Sequence, residues 1–400
     1  MNQAYIIDFI RTPIGNLGGS LSLMRTDDLA AWVIKTIVEK NQSVPPDQIS
    51  DVLMGCANQA GEDNRNIARM ALLLAGLPYT VPGETINRLC ASGMSAVING
   101  ARSIINGDHE VIVAGGVEHM TRAPWVMSKS TKAFGNDAQL FDSSFGWRFI
   151  NPRMQELYGT DAMGITAENL ADIHSISREG QDLFALRSQQ KATEASQSGR
   201  LLKEIIPVEI NLKDKITVFK QDEFIKPNST LEVLGKLKPA FKIGGTVTAG
   251  NSSGLNDGAA ALLLASEVAA NQFGLSPMAR IVGSAVVGVE PRIMGIGPVP
   301  ASLAVLKKTG LTLDDMDLIE INEAFAAQVL ACLSLLKIQP DDPRVNVQGG
   351  SIALGHPLGM TGARILGSAA MELQLTKKRF ALVTMCIGVG QGYAVILEKA

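Results

Sequence analysis

The sequence predicts a duplicated, layered α/β fold: two similar α/β halves packed together, with an inserted loop domain between them. Three observations carry this. Short apolar runs rich in β-branched residues alternate with Ala/Leu-rich helical stretches, twice over and in the same order. The block Cys90-Ala91-Ser92-Gly93-Met94-Ser95 in the first series matches His356-Pro357-Leu358-Gly359-Met360-Thr361 in the second, and each opens an Ala-rich helical segment leading to an apolar run that ends in glycines. Between the two series, from about residue 121 to 256, the pattern turns irregular and gathers Trp125, Phe141, Phe145, Trp147, Phe149 and Tyr158.

In the first series, 5–10 reads as a strand, 29–39 as a helix, Asp51–Gly55 as a strand, 67–75 and 91–105 as helices, and 111–115 as a buried strand. In the second, 280–287 is a strand, 301–309 a helix, Leu318–Ile321 a strand, 324–335 and 362–373 helices, and 380–386 a strand, with a last strand-like run at 393–397. The ends correspond best, 111–116 to 382–388, so the halves are expected to pack face to face. Residues 1–120, completed by about 256–277, form the first half; 121–255 form the loop domain; 278–400 form the second half. Long connections inside a compact protein usually carry binding loops, which makes 121–255 the expected substrate platform. It also holds a helix at about 177–196, opened by the capping-like Ser177-Arg178-Glu179-Gly180.

Composition narrows the function. The chain has 400 residues, 46% hydrophobic and 19% charged, with a formal net charge of −3. That balance gives no long-range attraction for nucleic acid or an anionic membrane, and fits small-molecule chemistry. Apolar runs such as 259–265 and 324–336 are too short or too interrupted to cross a bilayer, and residues 1–15 carry no secretion-signal pattern. Four scattered cysteines, Cys56, Cys90, Cys332 and Cys386, show no CxxC spacing, which argues against a disulfide framework or a thiolate zinc site and for a reducing cytoplasm. No metal is expected.

Cys90 falls where a helix should begin, so free backbone N–H groups and the helix dipole favour its thiolate. Alone, such a residue is more often a buried structural cysteine. His356 is set among Gly349, Gly350, Gly355 and Gly359, and Pro357 suits a first helical position. Its imidazole can take a thiol proton or donate to an oxyanion, although a lone histidine is more often structural. His109, His119 and His174 lack ligand spacing and read as turn or surface residues. The glycines after Cys386 lack the strand-to-helix context of a dinucleotide site, since a strand follows; they suit backbone N–H groups exposed as an oxyanion hole.

These motifs resemble the thiolases, the acyl-CoA C-acyltransferases. Asn87-Arg88-Leu89-Cys90, Asn322-Glu323-Ala324-Phe325, Gly355-His356-Pro357-Leu358-Gly359 and Cys386-Ile387-Gly388 follow the family's order, and the likeness runs from Arg11-Thr12-Pro13 to Gly392. The resemblance implies that Cys90 is the acylated nucleophile, His356 its base and Cys386 the acid/base cysteine. It further implies one oxyanion site built on His356 and Asn322, through a water, and another on the N–H groups of Cys90 and Gly388. For coenzyme A, a co-substrate rather than a cofactor, it points to Ala249 and Ser253 in the 246–254 turn and to Met163, Phe241, Met294 and Phe325 along the tunnel. It implies a homo-oligomer, a tetramer as a dimer of dimers, with Asn64-Arg65-Asn66 near the dimer contact.

Three segments, 55–66, 146–152 and 386–392, look like the 3-oxoadipyl-CoA thiolases of aromatic-compound degradation. The acyl chain then ends in a carboxylate that needs a cation or several donors. Arg148 and Arg153 are the candidates, against the alternative that both pair at the surface or meet coenzyme A phosphates. Ala162-Met163-Gly164 lacks the His-Met-Gly of some biosynthetic relatives, which points away from acetoacetyl-CoA formation. The competing expectation is a broad 3-ketoacyl-CoA thiolase of fatty-acid β-oxidation. A carrier-protein condensing enzyme would need a second histidine where Asn322 stands.

Overall fold

A computed structural model describes residues 2–212 and 215–400. Nine strands form the spine of one ten-stranded sheet: β1 (Ala4–Arg11), β2 (Asp51–Gly55), β3 (Gly83–Ile86), β4 (Val111–His119), β5 (Asn256–Ser266), β6 (Ala279–Gly288), β7 (Leu318–Ile321), β8 (Phe380–Ile387) and β9 (Gln391–Lys399). Their order is β7-β8-β9-β6-β1-β5-β4-β2-β3, and the short strand Gly15–Asn16 pairs β5. The duplication is visible in this order. Going outward from the β1–β6 junction, β5, β4 and β2 on one side answer β9, β8 and β7 on the other. β2 runs parallel to β4 as β7 does to β8, the edge strand β3 runs parallel to β2, and the remaining pairs of the spine are antiparallel. β3 has no counterpart.

The halves are joined edge to edge where Tyr5 pairs with Arg280 and Ile6 with Ala279. They also face one another across two helices, Ser92–Asn106 and Leu358–Thr376, which pack together. The second helix touches strands of both halves and is buried on every side from Gly359 to Leu373. A helix so buried belongs in a core position, where its Glu372 is paired with Arg200 at 2.9 Å. The inserted stretch adds no strand to this sheet after β4 and before β5, among the described residues. It contributes two separate ribbons, Trp125–Met127 with Leu140–Asp142 and Val208–Leu212 with Lys215–Phe219. It also supplies the helices Met163–Ile173 and Arg178–Gln197. Ser177 caps the latter, its hydroxyl accepting the Gly180 N–H at 3.1 Å. Buried Arg11 anchors the return of this stretch to β1 through Glu204 and Asp222, each at 2.7 Å.

Several predicted helix starts shift, those at 29 and 301 moving back to Thr26 and Pro298, and two others show why. The one at 362–373 begins earlier, at Leu358, because Pro357 stands at the N-cap and not at the first helical position. The one at 324–335 begins only at Ala326. Phe325 stays extended because the neighbouring turn claims its backbone surroundings: Ser253 N–H donates to the Ala324 carbonyl at 2.9 Å, and Ala326 N–H to that of Asn251 at 2.9 Å.

Glycine makes the central crossing tight. A Cβ on Gly116 of β4 would lie 1.9 Å from the Gly359 carbonyl oxygen, one on Gly93 2.4 Å from the same oxygen, and one on Gly362 2.5 Å from Met94 N. The two helix starts and β4 thus meet backbone to backbone, which brings the loops bearing Cys90 and His356 together. Gly116→Ala must push a buried strand off a buried helix. The expected destabilisation is about 3 kcal/mol, read as a lower denaturant midpoint at unchanged slope.

Candidate active site

Three loops converge at that crossing. Before Cys90, the Asn87 side chain accepts from Leu89 N–H at 2.9 Å and donates to the Ala57 carbonyl at 3.0 Å. Leu89 is held at φ 47°, a left-handed conformation uncommon for leucine that lifts Cys90 to the start of its helix. Arg88 donates to Ser95 Oγ at 2.8 Å and to Gln391 Oε1 at 3.1 Å, tying this loop to the one after Cys386. Cys386 sits near the end of β8, buried, and Val389 turns the chain away at φ 62°.

A cavity of about 650 Å³ opens over these loops. Cys90, His356, Cys386 and Gly388 line it. So do Ala249 and Ser253 of the 246–254 turn, and Met163, Phe241, Met294 and Phe325. Phe241 and Phe325 meet edge to face at 6.1 Å. The turn is rigid: Asn251 accepts from Thr248 N–H at 2.8 Å and donates to Asp182 at 2.9 Å, and Glu168 accepts the Thr246 and Val247 N–H groups at 2.8 Å. Arg148 also lines the cavity, whereas Arg153 lies exposed on the short helix Pro152–Tyr158, outside it. Asn322 is buried behind the wall and is not a lining residue.

Burial opposes the helix start at Cys90. The helix Ser92–Asn106 starts two residues after Cys90, and the N–H groups of Gly388 and of Cys90 itself point at the sulfur. These favour a thiolate, yet burial outweighs them and, with the Glu118 charge adding, pushes the Cys90 thiol up to about 11. Burial, reinforced by the Arg364 charge, lowers His356 to about 3. Burial likewise holds Cys386 well above the usual thiol range. At neutral pH all three are uncharged. The Thr361 hydroxyl donates to the Pro357 carbonyl at 2.8 Å, so at 2.8 Å from His356 Nδ1 it accepts that ring's N–H. Nε2 is then the free base, buried without a partner among the described residues. Alkylation of Cys90 by iodoacetamide should accelerate roughly tenfold per pH unit from about pH 7 to 10. A plateau below about pH 8 would reveal a pre-formed thiolate and contradict this electrostatic picture.

Several site residues carried no signal in the sequence. Glu118, at the end of β4, lines the cavity and accepts N–H groups from Ala57 at 3.0 Å, Asn58 at 3.1 Å and Gly359 at 2.8 Å. It pins the His356 loop to the first half, and burial pushes its carboxyl up to about 7. Lys226 lies over Phe224, which packs against Gly254 of the turn. His119, read as a turn or surface residue, is buried, with Nε2 3.0 Å from the Leu21 carbonyl. Cys56, Asp63 and Glu118 form a group that could hold a cation, but both carboxylates are already taken up by N–H groups, Asp63 by those of Gln59 and Gly61.

No helix among the described residues is long and apolar enough to cross a membrane. The model of the thiolase N-terminal domain matches residues 4–268 and that of the thiolase C-terminal domain residues 275–399. A beta-ketoadipyl-CoA thiolase of Escherichia coli is 56% identical over 400 residues, covering 100% of both chains. A 3-oxoadipyl-CoA/3-oxo-5,6-dehydrosuberyl-CoA thiolase of E. coli (strain K12) is also 56% identical over 400 residues, with 100% of both covered. The crystal structure of human mitochondrial 3-ketoacyl-CoA thiolase in complex with CoA superposes with a TM-score of 0.92 at 41% identity, covering 100% of this chain and 98% of that one. With both domains matched in order around a cavity shared by two cysteines and a histidine, the chain belongs to the thiolase family.

Proposed function

We propose that the chain cleaves 3-oxoadipyl-CoA with coenzyme A, giving succinyl-CoA and acetyl-CoA through an acyl-Cys90 intermediate, in the breakdown of aromatic compounds. The observation that carries the substrate is full-length 56% identity to relatives named for this substrate. Arg148 adds to it. Among the described residues its guanidinium reaches only neutral oxygens, Asn58 Oδ1 at 2.9 Å and the Asn58 and Ser143 carbonyls at 3.3 Å, which leaves its charge to meet the terminal carboxylate. Lys226, beside the 246–254 turn, suits the coenzyme A side.

His356 Nε2 takes the Cys90 proton as the sulfur attacks the 3-keto carbon, so attack and proton transfer are coupled and no resting thiolate is needed. The N–H groups at the sulfur, those of Cys90 and Gly388, receive the keto oxygen. Collapse breaks the C2–C3 bond. The thioester oxygen of the departing enolate then falls to protonated His356 and, through a water, to Asn322. The Cys386 thiol protonates C2, and acetyl-CoA leaves. Coenzyme A next gives its thiol proton to Cys386 and attacks the succinyl thioester, while His356 returns its proton to Cys90. Every proton is restored and no redox or metal step is required. Residues 121–255 serve as the coenzyme A and substrate platform of a homo-oligomer.

The test is to mix the protein with 3-oxoadipyl-CoA without coenzyme A and map the adduct by peptide mass spectrometry. A succinyl thioester on Cys90, released as succinyl-CoA when coenzyme A is added, is the expected result. An unmodified Cys90, or an adduct elsewhere, would overturn the reading.

A further inference from the structure

Three buried polar atoms have no partner among the described residues: Nε2 of His356, which lines the cavity, Asn322 Nδ2 and Arg364 Nε. Leaving such groups unpaired is costly, so the arrangement that holds them there needs a reason. Ser351 stands between two of them. It opens the short helix Ser351–Leu354 directly after Gly350 and is fully buried. Its hydroxyl donates to Asn322 Oδ1 at 2.6 Å, and Arg364 Nη2 donates to the same hydroxyl oxygen at 3.3 Å.

The donor inventory and the atoms that meet give this chain its direction. Arg364 has only N–H groups to offer, so it occupies one acceptor site on Ser351 Oγ, and the serine proton goes to the Asn322 oxygen that faces it. Asn322 thus meets Ser351 through its oxygen. Its amide nitrogen is left over as the donor without a partner. Arg364 rides on the helix that His356 immediately precedes, so one element positions the imidazole and this relay together.

We propose that Ser351 is a positioning residue for the carbon–carbon cleavage step: with its proton directed by Arg364, it locks the Asn322 amide so that Nδ2 serves the enolate oxygen. This rests on the mechanism above, in which the Cys90 and Gly388 N–H groups serve the other oxygen. The two partial reactions are therefore separable. Exchange of labelled coenzyme A into succinyl-CoA forms and breaks the acyl-Cys90 bond without any enolate, whereas thiolysis of 3-oxoadipyl-CoA needs one.

The experiment measures both reactions in Ser351→Ala, Asn322→Ala and the double variant. Ser351→Ala should lower kcat for thiolysis by about 10- to 30-fold, with KM for both substrates and the exchange rate within about twofold of the parent. In the Asn322→Ala background the same change should cost less than about twofold, because the group it orients is gone. Equal loss of thiolysis and exchange would mark Ser351 as merely structural and overturn the proposal. So would full additivity with Asn322→Ala, or a thiolysis rate unaffected by Ser351→Ala. If Asn322→Ala alone leaves thiolysis intact, both this inference and the assigned role of Asn322 fall, while an acyl-Cys90 adduct would still stand.

Discussion

Cys90→Ala is expected to lower kcat for thiolysis by at least about 10⁴-fold while leaving the protein folded and able to bind acyl-CoA. The size follows from the chemistry: without the sulfur there is no covalent intermediate, and removing a nucleophile from a concerted set costs about as much as removing the set. Four decades correspond to about 5.5 kcal/mol of barrier. The fold should survive because Cys90 is only half-buried, facing the cavity, and alanine removes one atom, leaving the Gly388 and Cys90 N–H groups that met the sulfur at the cavity. Initial rates, checked by a thermal melt and by acyl-CoA binding, decide it. Residual activity above about 1% of the parent would mean that another group accepts the acyl chain.

Arg148→Met should lower kcat/KM for 3-oxoadipyl-CoA by about 100-fold, or about 2.7 kcal/mol, while changing that for 3-oxooctanoyl-CoA by less than about threefold. Methionine keeps much of the apolar stem and removes the charge. The apolar substrate is the necessary control, because Arg148 also braces Asn58 and the Ser143 carbonyl. A loosened loop would slow both substrates alike, and a lost carboxylate contact slows only one. Arg153, exposed outside the cavity, should give no such difference when replaced.

The residues that were legible in sequence are those whose chemistry depends on local backbone. Cys90 and His356 could be found because each opens a helix beside glycines, and Cys386 because glycines follow a strand end; such features repeat at matching places in a duplicated chain. The strand order follows from the same duplication, with β2 parallel to β4 as β7 is to β8. The residues that stayed hidden act across the fold. Glu118 looks like one polar residue at a strand end, and only the crossing at Gly116 and Gly359 brings it to the Gly359 N–H, 241 positions away. Ser351 and Arg364 sit in ordinary helical text, and their link to Asn322 exists only once β7 and the His356 helix are packed. The thiolate-favouring surroundings expected of Cys90 are present, but what opposes them was hidden for a related reason. A helix start can be read from sequence, but the desolvation that outweighs it comes from layers distant in the chain.

The most direct test of the central claim is the ratio of kcat/KM for thiolysis of 3-oxoadipyl-CoA to that of 3-oxooctanoyl-CoA, measured on the purified protein with Cys90→Ala as the blank. The expected ratio is at least about 100 in favour of the dicarboxylic substrate, roughly 2.7 kcal/mol of transition-state discrimination. Equal rates, or a preference for the octanoyl chain, would contradict the assigned substrate and leave a thiolase of broad chain-length range.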